Sequence, residues 1–364
     1  MAAIDVLMPV RNGMPYLAEA IDSIRNQTFS DWRLLVLDHG SVDGSLEFAQ
    51  RRAGKDRRIL VSSHPEANGI AALRNIGLAK CDCRYLLLQD ADDISFANRM
   101  DIVVRSFENS PNMLAIGGEA IVIDSMGRRI GHLRAPIGPA AVAAASFFHF
   151  PMIHPGSAAN FRALMWLGAA YGKDIMGAVP PSDTIAVDTL AEDYILFGQL
   201  ALLGPCANVP VPLIQYRRHK KGTGVTSPLE QIAQALRISR FLAKSFCLRN
   251  GLEAFDPGPF CNHADYVFDF GVRDYADQFQ KMATSLRRGL GQSDALEREL
   301  SFRRVLATRD SPVMALRFLQ FLSGNTTSPA ERRTVRNWLL RELRHGKYVY
   351  RMAEPTPVEP HVAA

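Results

Sequence analysis

Tyr85-Leu86-Leu87-Leu88-Gln89-Asp90-Ala91-Asp92-Asp93 is the stretch on which the fold of this chain turns. A short apolar run followed by turn chemistry reads as a buried strand. This one runs straight into three carboxylates. Strand alternation sets Asp90 and Asp92 on one side, where two unit charges about 4 Å apart repel by roughly 4 kcal/mol at an effective dielectric near 20. A buried strand that ends this way needs something positive. The economical candidate is a divalent cation with an oxygen-preferring shell, Mg2+ or Mn2+, carrying a substrate phosphate.

Upstream of this stretch, strand and helix signals alternate. Apolar runs over 4–9, 32–37 and 58–62 read as strands, and amphipathic segments over 15–26, 45–52 and 70–79 as helices. That alternation predicts an α/β domain with a largely parallel sheet. Polar residues able to do chemistry follow the strand ends, where open α/β sheets bind ligands. Downstream, 96–109 reads as a helix and 113–123 as a strand. The segment 177–188, with Pro180-Pro181, reads as a loop long enough for a lid or an acceptor-binding element. A helix over 189–203, a strand over 209–217 and a basic, glycine-containing loop over 218–226 complete this part.

From Ser227 the character changes. Ser227-Pro228-Leu229-Glu230 is a capping box with proline at the first helical position, and Ser328-Pro329-Ala330-Glu331 repeats it. The first opens a helix closing near Asn250-Gly251, the second a helix reaching about His345. The expected organisation is a catalytic α/β domain over 1–226, a helical region over 227–350 and a disordered tail over 351–364. On the last helix, Val335, Trp338, Leu339 and Leu343 recur at helical spacing, with Arg332, Arg333, Arg336 and Arg344 largely elsewhere. Such a basic amphipathic helix fits either an anionic membrane surface or packing on the catalytic domain with a solvated basic face.

The chain of 364 residues is 47% hydrophobic, with a net charge of +5 and a pI near 9.0. That mild basicity suits phosphate-bearing substrates or anionic membranes without selecting either, and no nucleic-acid-binding motif accompanies it. No apolar run is long enough to span a bilayer, and no basic segment precedes an apolar stretch at the N-terminus. The expected location is cytoplasmic, with peripheral contact at the inner face of the membrane through the basic helices. The five cysteines are odd in number and scattered, as expected of reduced thiols.

Several segments, in order along residues 4–226, resemble glycosyltransferase family 2. They are Met8-Pro9-Val10-Arg11-Asn12, Gln27-Thr28-Phe29, Asp38-His39-Gly40-Ser41-Val42-Asp43-Gly44, Asn68-Gly69-Ile70-Ala71 with Arg74-Asn75-Ile76-Gly77, Asp90-Ala91-Asp92-Asp93, Glu192-Asp193-Tyr194, and Tyr216-Arg217-Arg218-His219. The resemblance implies a GT-A fold, a Rossmann-like mixed, mostly parallel sheet flanked by helices. It also implies a divalent-metal-dependent, inverting, non-processive enzyme. Such an enzyme moves one sugar from a nucleoside diphosphate donor, usually UDP-linked, to a carbohydrate or lipid-linked glycan hydroxyl in cell-envelope polysaccharide or glycoconjugate synthesis.

Residue by residue, the resemblance implies that the Asp38 loop holds the nucleotide base, alongside Pro9, Val10 and Asn12. The chain departs from the pattern at His39, where a second aspartate is usual and a neutral imidazole supplies no equivalent charge. The plainer reading of Asp38 is a turn residue bonding its own backbone. Arg74 would hold a diphosphate or base edge. Asp92 would bind the metal, His219 would complete its shell or contact the diphosphate, Asp90 would reach the donor ribose, and Ala91 would bind the donor. Asp93 would support them or cap the next helix. Arg217, Arg218 and Lys221 would neutralise phosphate charge. Asp193 would be the general base and Glu192 would orient the acceptor, although acidic residues in a first helical turn are also favoured by the macrodipole.

Two other functions compete with this one. A nucleotidyltransferase of similar fold would show a glycine-rich loop with Arg and Lys after the first strand, and Arg11-Asn12-Gly13 is a poor match. A nucleotide-sugar-binding or scaffolding protein without turnover would account for His39 but not for intact Asp92 and Asp193.

Overall fold

The computed structural model describes residues 2–220, 222, 228–262 and 273–343. Strands β1 (Ala2–Val10), β2 (Trp32–Asp38), β3 (Ile59–Ser63) and β4 (Cys83–Leu88) alternate with helices α1 (Leu17–Arg25), α2 (Ser45–Ala53) and α3 (Gly69–Lys80). These four strands pair in parallel in the order β3-β2-β1-β4. They match the expected strands to within a few residues at each end.

Beyond β4 the sheet turns antiparallel. The chain continues through β5 (Ile94–Ser95), α4 (Arg99–Asn109), β6 (Ala115–Ile123), β7 (Arg129–Leu133), α5 (Pro139–Ala145), β8 (Ala158–Asn160), α6 (Phe161–Trp166), α7 (Glu192–Leu203) and β9 (Cys206–Arg217). Strand β8 bridges β4 and β6 with antiparallel pairing on both sides, and β9 runs parallel to β6. The expected helix over 96–109 is divided, its first residues lying outside α4 beside the short strand β5.

Both faces of the sheet are covered, which explains why its strands read as unbroken apolar runs. In β1, Ile4, Val6, Met8 and Val10 enter one core with Leu17, Ile21, Val103 and Phe107 from α1 and α4. Leu7 enters the other, with Leu35, Leu37 and Leu88 from the neighbouring strands and Leu73, Leu196 and Leu200 from α3 and α7. The exception in β1 is Asp5, fully buried, whose carboxylate takes two hydrogen bonds from Arg33 at 2.7 and 2.6 Å.

Helices α8 (Pro228–Asn250), α9 (Ala276–Leu290), α10 (Asp294–Val305), α11 (Ser311–Gly324) and α12 (Pro329–Leu343) follow. With α5 they enclose a further core that includes Phe147, Phe148, Phe246, Phe260, Phe302 and Phe321. The Ser328 capping box is formed reciprocally. Ser328 N–H donates to Glu331 at 2.7 Å and Glu331 N–H donates to Ser328 Oγ at 3.1 Å. Ser227, Lys221, Arg344, His345 and the tail over 351–364 lie outside the described residues. Among the described residues no helix is long and apolar enough to cross a membrane.

Candidate active site

Three loops meet at the C-terminal ends of β1, β2 and β4. The turn after β1 is zipped to the turn after β2. Asn12 N–H donates to Ser41 Oγ at 2.9 Å, Val42 N–H to Asn12 Oδ1 at 2.9 Å, Gly13 N–H to Ser45 Oγ at 2.9 Å and Met14 N–H to Asp43 at 3.0 Å. Asn12 adopts a left-handed backbone (φ 54°), which asparagine tolerates better than most side chains. Asp38 is buried and its carboxylate accepts hydrogen bonds from the N–H groups of Gly40 and Ser41 and from Ser63 Oγ. It therefore builds the loop, the plainer of the two expectations. His39 Nε2 lies 2.9 Å from the carbonyl of Ala67 and ties this loop to the start of α3.

Gly69 opens α3 with φ +84°, and a Cβ there would lie 2.6 Å from the carbonyl oxygen of Asp188. That same carbonyl accepts a hydrogen bond from Ala71 N–H at 3.1 Å. The expected lid over 177–188 is thus pinned to α3 at its C-terminal end, and Lys244 holds Asp183 at 2.7 Å. Asn75, one residue beyond Arg74, clamps Tyr171 through both its main-chain groups at 3.0 and 2.8 Å.

The carboxylates after β4 converge. Oxygens of Asp90, Asp92 and Asp93 lie within 4.8 Å of one another. The positive charge that the sequence demanded is supplied in part by the protein. Arg74 reaches Asp90 at 3.3 Å and pairs with Glu192 at the start of α7. His219 Nε2 is 2.8 Å from Asp92 Oδ2. Asp93 Oδ1 accepts from the main-chain N–H of Arg217 at 2.7 Å, whereas its buried Oδ2 has no hydrogen-bond partner among the described residues. Asp93 does not cap a helix, because α4 begins six residues later at Arg99. Ala91 lies half-buried beside Gly13, and Pro9 and Val10 form the buried end of β1.

Arg217 corrects an expectation. Its guanidinium is buried and donates to Glu19 at 2.5 Å and to the carbonyl of Asp92 at 2.9 Å, stacked 4.5 Å from the Tyr16 ring. It braces the carboxylate turn from behind, with its side chain 1% exposed and a further contact to the carbonyl of Asp124 at 3.4 Å. Arg218 is the exposed member of the pair.

Glu192 and Asp193 begin α7 after Ala191, which holds a left-handed backbone (φ 66°) uncommon for a residue with a Cβ. Asp193 Oδ1 accepts from Tyr194 N–H at 2.8 Å and its carboxylate is half-buried. Burial raises its proton affinity, while Arg74 opposes the shift. Burial likewise pushes Glu192 up to about 7 and Asp90 up to about 6, with Arg74 opposing in both. For Arg74, burial alone would weaken proton binding, but Glu192 and Asp90 more than offset it and hold the guanidinium charged.

These shifts fix a pH dependence. Both carboxyls bind more protons folded than unfolded, so their contribution to stability is full below about pH 4, the ordinary range of such groups. It is lost as pH rises through about 6 and about 7. The urea midpoint is expected to fall between pH 5 and pH 8, and Glu192→Gln to flatten that fall. A midpoint that rises over this range in wild type and variant alike would contradict it.

Three further side chains contribute to the site. Arg99, fully buried, donates to the carbonyls of Leu88 at 2.7 Å and Ser157 at 3.1 Å, fixing the end of β4 behind the carboxylates. Tyr171 stacks under Arg74 at 5.4 Å, and His154 Nε2 lies 3.3 Å from its hydroxyl. Burial, with Arg74 and Arg99 nearby, holds that imidazole neutral. A buried arginine inside an amphipathic helix looks like any solvated one in sequence.

The model of a family described as Glycosyl transferase family 2 matches residues 5–166. An uncharacterized glycosyltransferase of Haemophilus influenzae is 25% identical over 245 residues, spanning 65% of this chain and 72% of that protein. The UDP-Glc:alpha-D-GlcNAc-diphosphoundecaprenol beta-1,3-glucosyltransferase WfgD of Escherichia coli is 31% identical over 105 residues. That match spans 28% of this chain and 39% of WfgD, less than half the relative's length. The crystal structure of S. aureus TarS 1-349 in complex with UDP-GlcNAc superposes with a TM-score of 0.51 at 14% identity, covering 95% of this chain and 93% of that one, a likeness of fold.

Proposed function

Because this chain belongs to glycosyl transferase family 2 and has the GT-A fold, we propose that it moves a single sugar, with inversion, from a nucleoside diphosphate sugar to an acceptor hydroxyl. The observation that carries this is the meeting of Asp90, Asp92 and Asp93 with Arg74, Glu192 and Asp193 at the ends of the parallel strands. The names of WfgD and of the TarS complex support a UDP-linked donor, and that of WfgD supports a lipid-linked glycan as acceptor. The pathway that follows from such an acceptor is cell-envelope glycan assembly.

In this reading Asp193 takes the proton of the acceptor hydroxyl. The acceptor oxygen forms a bond to the anomeric carbon as the bond to the diphosphate oxygen breaks, and the bonding electrons leave with the diphosphate. Attack from the face opposite the leaving group inverts the anomeric centre. The raised proton affinity of Asp193 suits a base. Asp90 and Ala91 lie at the donor ribose, and the loop built by Asp38 and Asn12 receives the base. Arg74 holds Glu192 in place beside the acceptor.

The donor set fits a divalent cation. A carboxylate and an imidazole stand 2.8 Å apart, and the buried oxygen of Asp93 lacks a partner beside them. Asp92 and His219 would hold Mn2+ or Mg2+, which when bound supplies Lewis-acid neutralisation of charge on the departing diphosphate. Titration calorimetry tests this division. Asp92→Asn is expected to weaken Mn2+ and donor binding at least tenfold, while Asp193→Asn leaves both unchanged. Equal Mn2+ affinity in wild type and Asp92→Asn would remove Asp92 as the ligand.

A further inference from the structure

The α11–α12 hairpin turns an apolar stripe away from the protein. Helix α11 buries Met314 and Phe321 against the helical core. On its opposite side Leu316, Leu319 and Leu322 are 57%, 64% and 41% exposed. A regular spacing of three keeps these leucines on one side of the helix. Helix α12, joined to α11 by Asn325-Thr326-Thr327-Ser328, buries Val335 and Trp338 and exposes Arg332, Arg333 and Arg336.

The charge of this surface is one-sided. Between residues 311 and 340 the single carboxylate is Glu331. It is buried, and it is consumed by Arg298 at 2.6 and 2.9 Å and by the capping box. The hairpin therefore offers solvent leucines and guanidinium groups, with no acid between residues 311 and 340 left to balance them.

We infer that this hairpin docks the protein on an anionic lipid bilayer. The leucines enter the boundary of the acyl region and the arginines meet headgroup phosphates. A bilayer supplies both partners that the surface lacks. A second copy is the poorer match, because a two-fold contact through this face would set Arg332, Arg333 and Arg336 against one another, and the only acid of the hairpin besides Glu331 is Glu342 in its last turn. The plainer role expected for α12, packing with a solvated basic face, holds for its own apolar side. The unpartnered leucines belong to α11, which the sequence reading did not single out. The inference rests on the hairpin alone, independent of the transfer chemistry.

Flotation of the full chain with vesicles tests it. Wild type is expected to float with vesicles of phosphatidylcholine containing one quarter phosphatidylglycerol, and poorly with phosphatidylcholine alone. Leu316→Glu with Leu319→Glu should lower binding at least tenfold. Arg333→Glu with Arg336→Glu should lower it by roughly fivefold or more per arginine. Because the stripe faces solvent, thermal melts should match wild type, and Leu316→Ser with Leu319→Ser is the substitute if the glutamates perturb folding. Wild type that stays with the unbound fraction, or leucine variants that float equally well, would overturn the inference. So would a wild-type dimer in sedimentation equilibrium that Leu316→Glu dissociates.

Discussion

Asp193→Asn is expected to lower sugar transfer by about 10²- to 10⁴-fold while donor and Mn2+ binding stay within experimental error of wild type. The amide keeps the shape of the carboxylate and still accepts from Tyr194 N–H, so α7 should retain its start. What it loses is the ability to take a proton. The effect should lie in the turnover rate and not in apparent donor affinity, because Asp193 acts on the acceptor hydroxyl. The pH profile offers a second readout. Since burial raises the proton affinity of Asp193, wild-type transfer should rise with pH along a limb above the ordinary aspartate range. The residual activity of the variant should lack that limb. Transfer by Asp193→Asn within a factor of a few of wild type would remove Asp193 as the base.

Arg74→Met is expected to destabilise the protein by about 3–5 kcal/mol, the usual consequence of removing one partner of a buried ion pair. The Arg74 and Glu192 side chains are 7% and 6% exposed, so solvent does little to screen the pair. Without the guanidinium, Glu192, Asp90 and Asp193 face one another with no cation among them. They can respond by taking up protons, so the loss should be larger at pH 8 than at pH 5. Arg74→Met combined with Glu192→Gln should recover part of it, because the stranded charge is then gone. Urea denaturation of the single and double variants measures both. A single variant as stable as wild type at pH 8 would show that Arg74 is not the counter-ion of this cluster.

The parallel half of the sheet was legible because strands buried on both faces cannot alternate, so 4–9, 32–37 and 85–88 stand out as apolar runs. Strand β8 and helices α5 and α6 were not. Ala158-Ala159-Asn160 is too short for any period, and α5 is largely alanine, which carries no amphipathic signal. In the site, the residues legible in sequence are those that end strands or start helices, Asp38, Asp90, Asp92 and Asp193. Their pairings were not, because contact across the fold leaves no local trace. Arg74 and Glu192 are 118 residues apart in the chain. Arg217 misled for a related reason. A cation in a basic run after a strand looks available to phosphate, and only the fold shows Glu19 and the Asp92 carbonyl waiting for it.

The carboxylate turn that first called for a counter-ion thus has two kinds of partner. Arg74 sets a cation against it, His219 and the main-chain N–H of Arg217 contact it, and one oxygen of Asp93 has no partner among the described residues. The most direct test of the whole account is release of nucleoside diphosphate from a panel of nucleotide sugars, followed with Mn2+ and with chelator. The account predicts slow turnover of one donor even without acceptor, abolished by chelator and restored by Mn2+. Failure to bind or turn over every donor, with formation of a nucleotide sugar from a nucleoside triphosphate and a sugar phosphate instead, would contradict it.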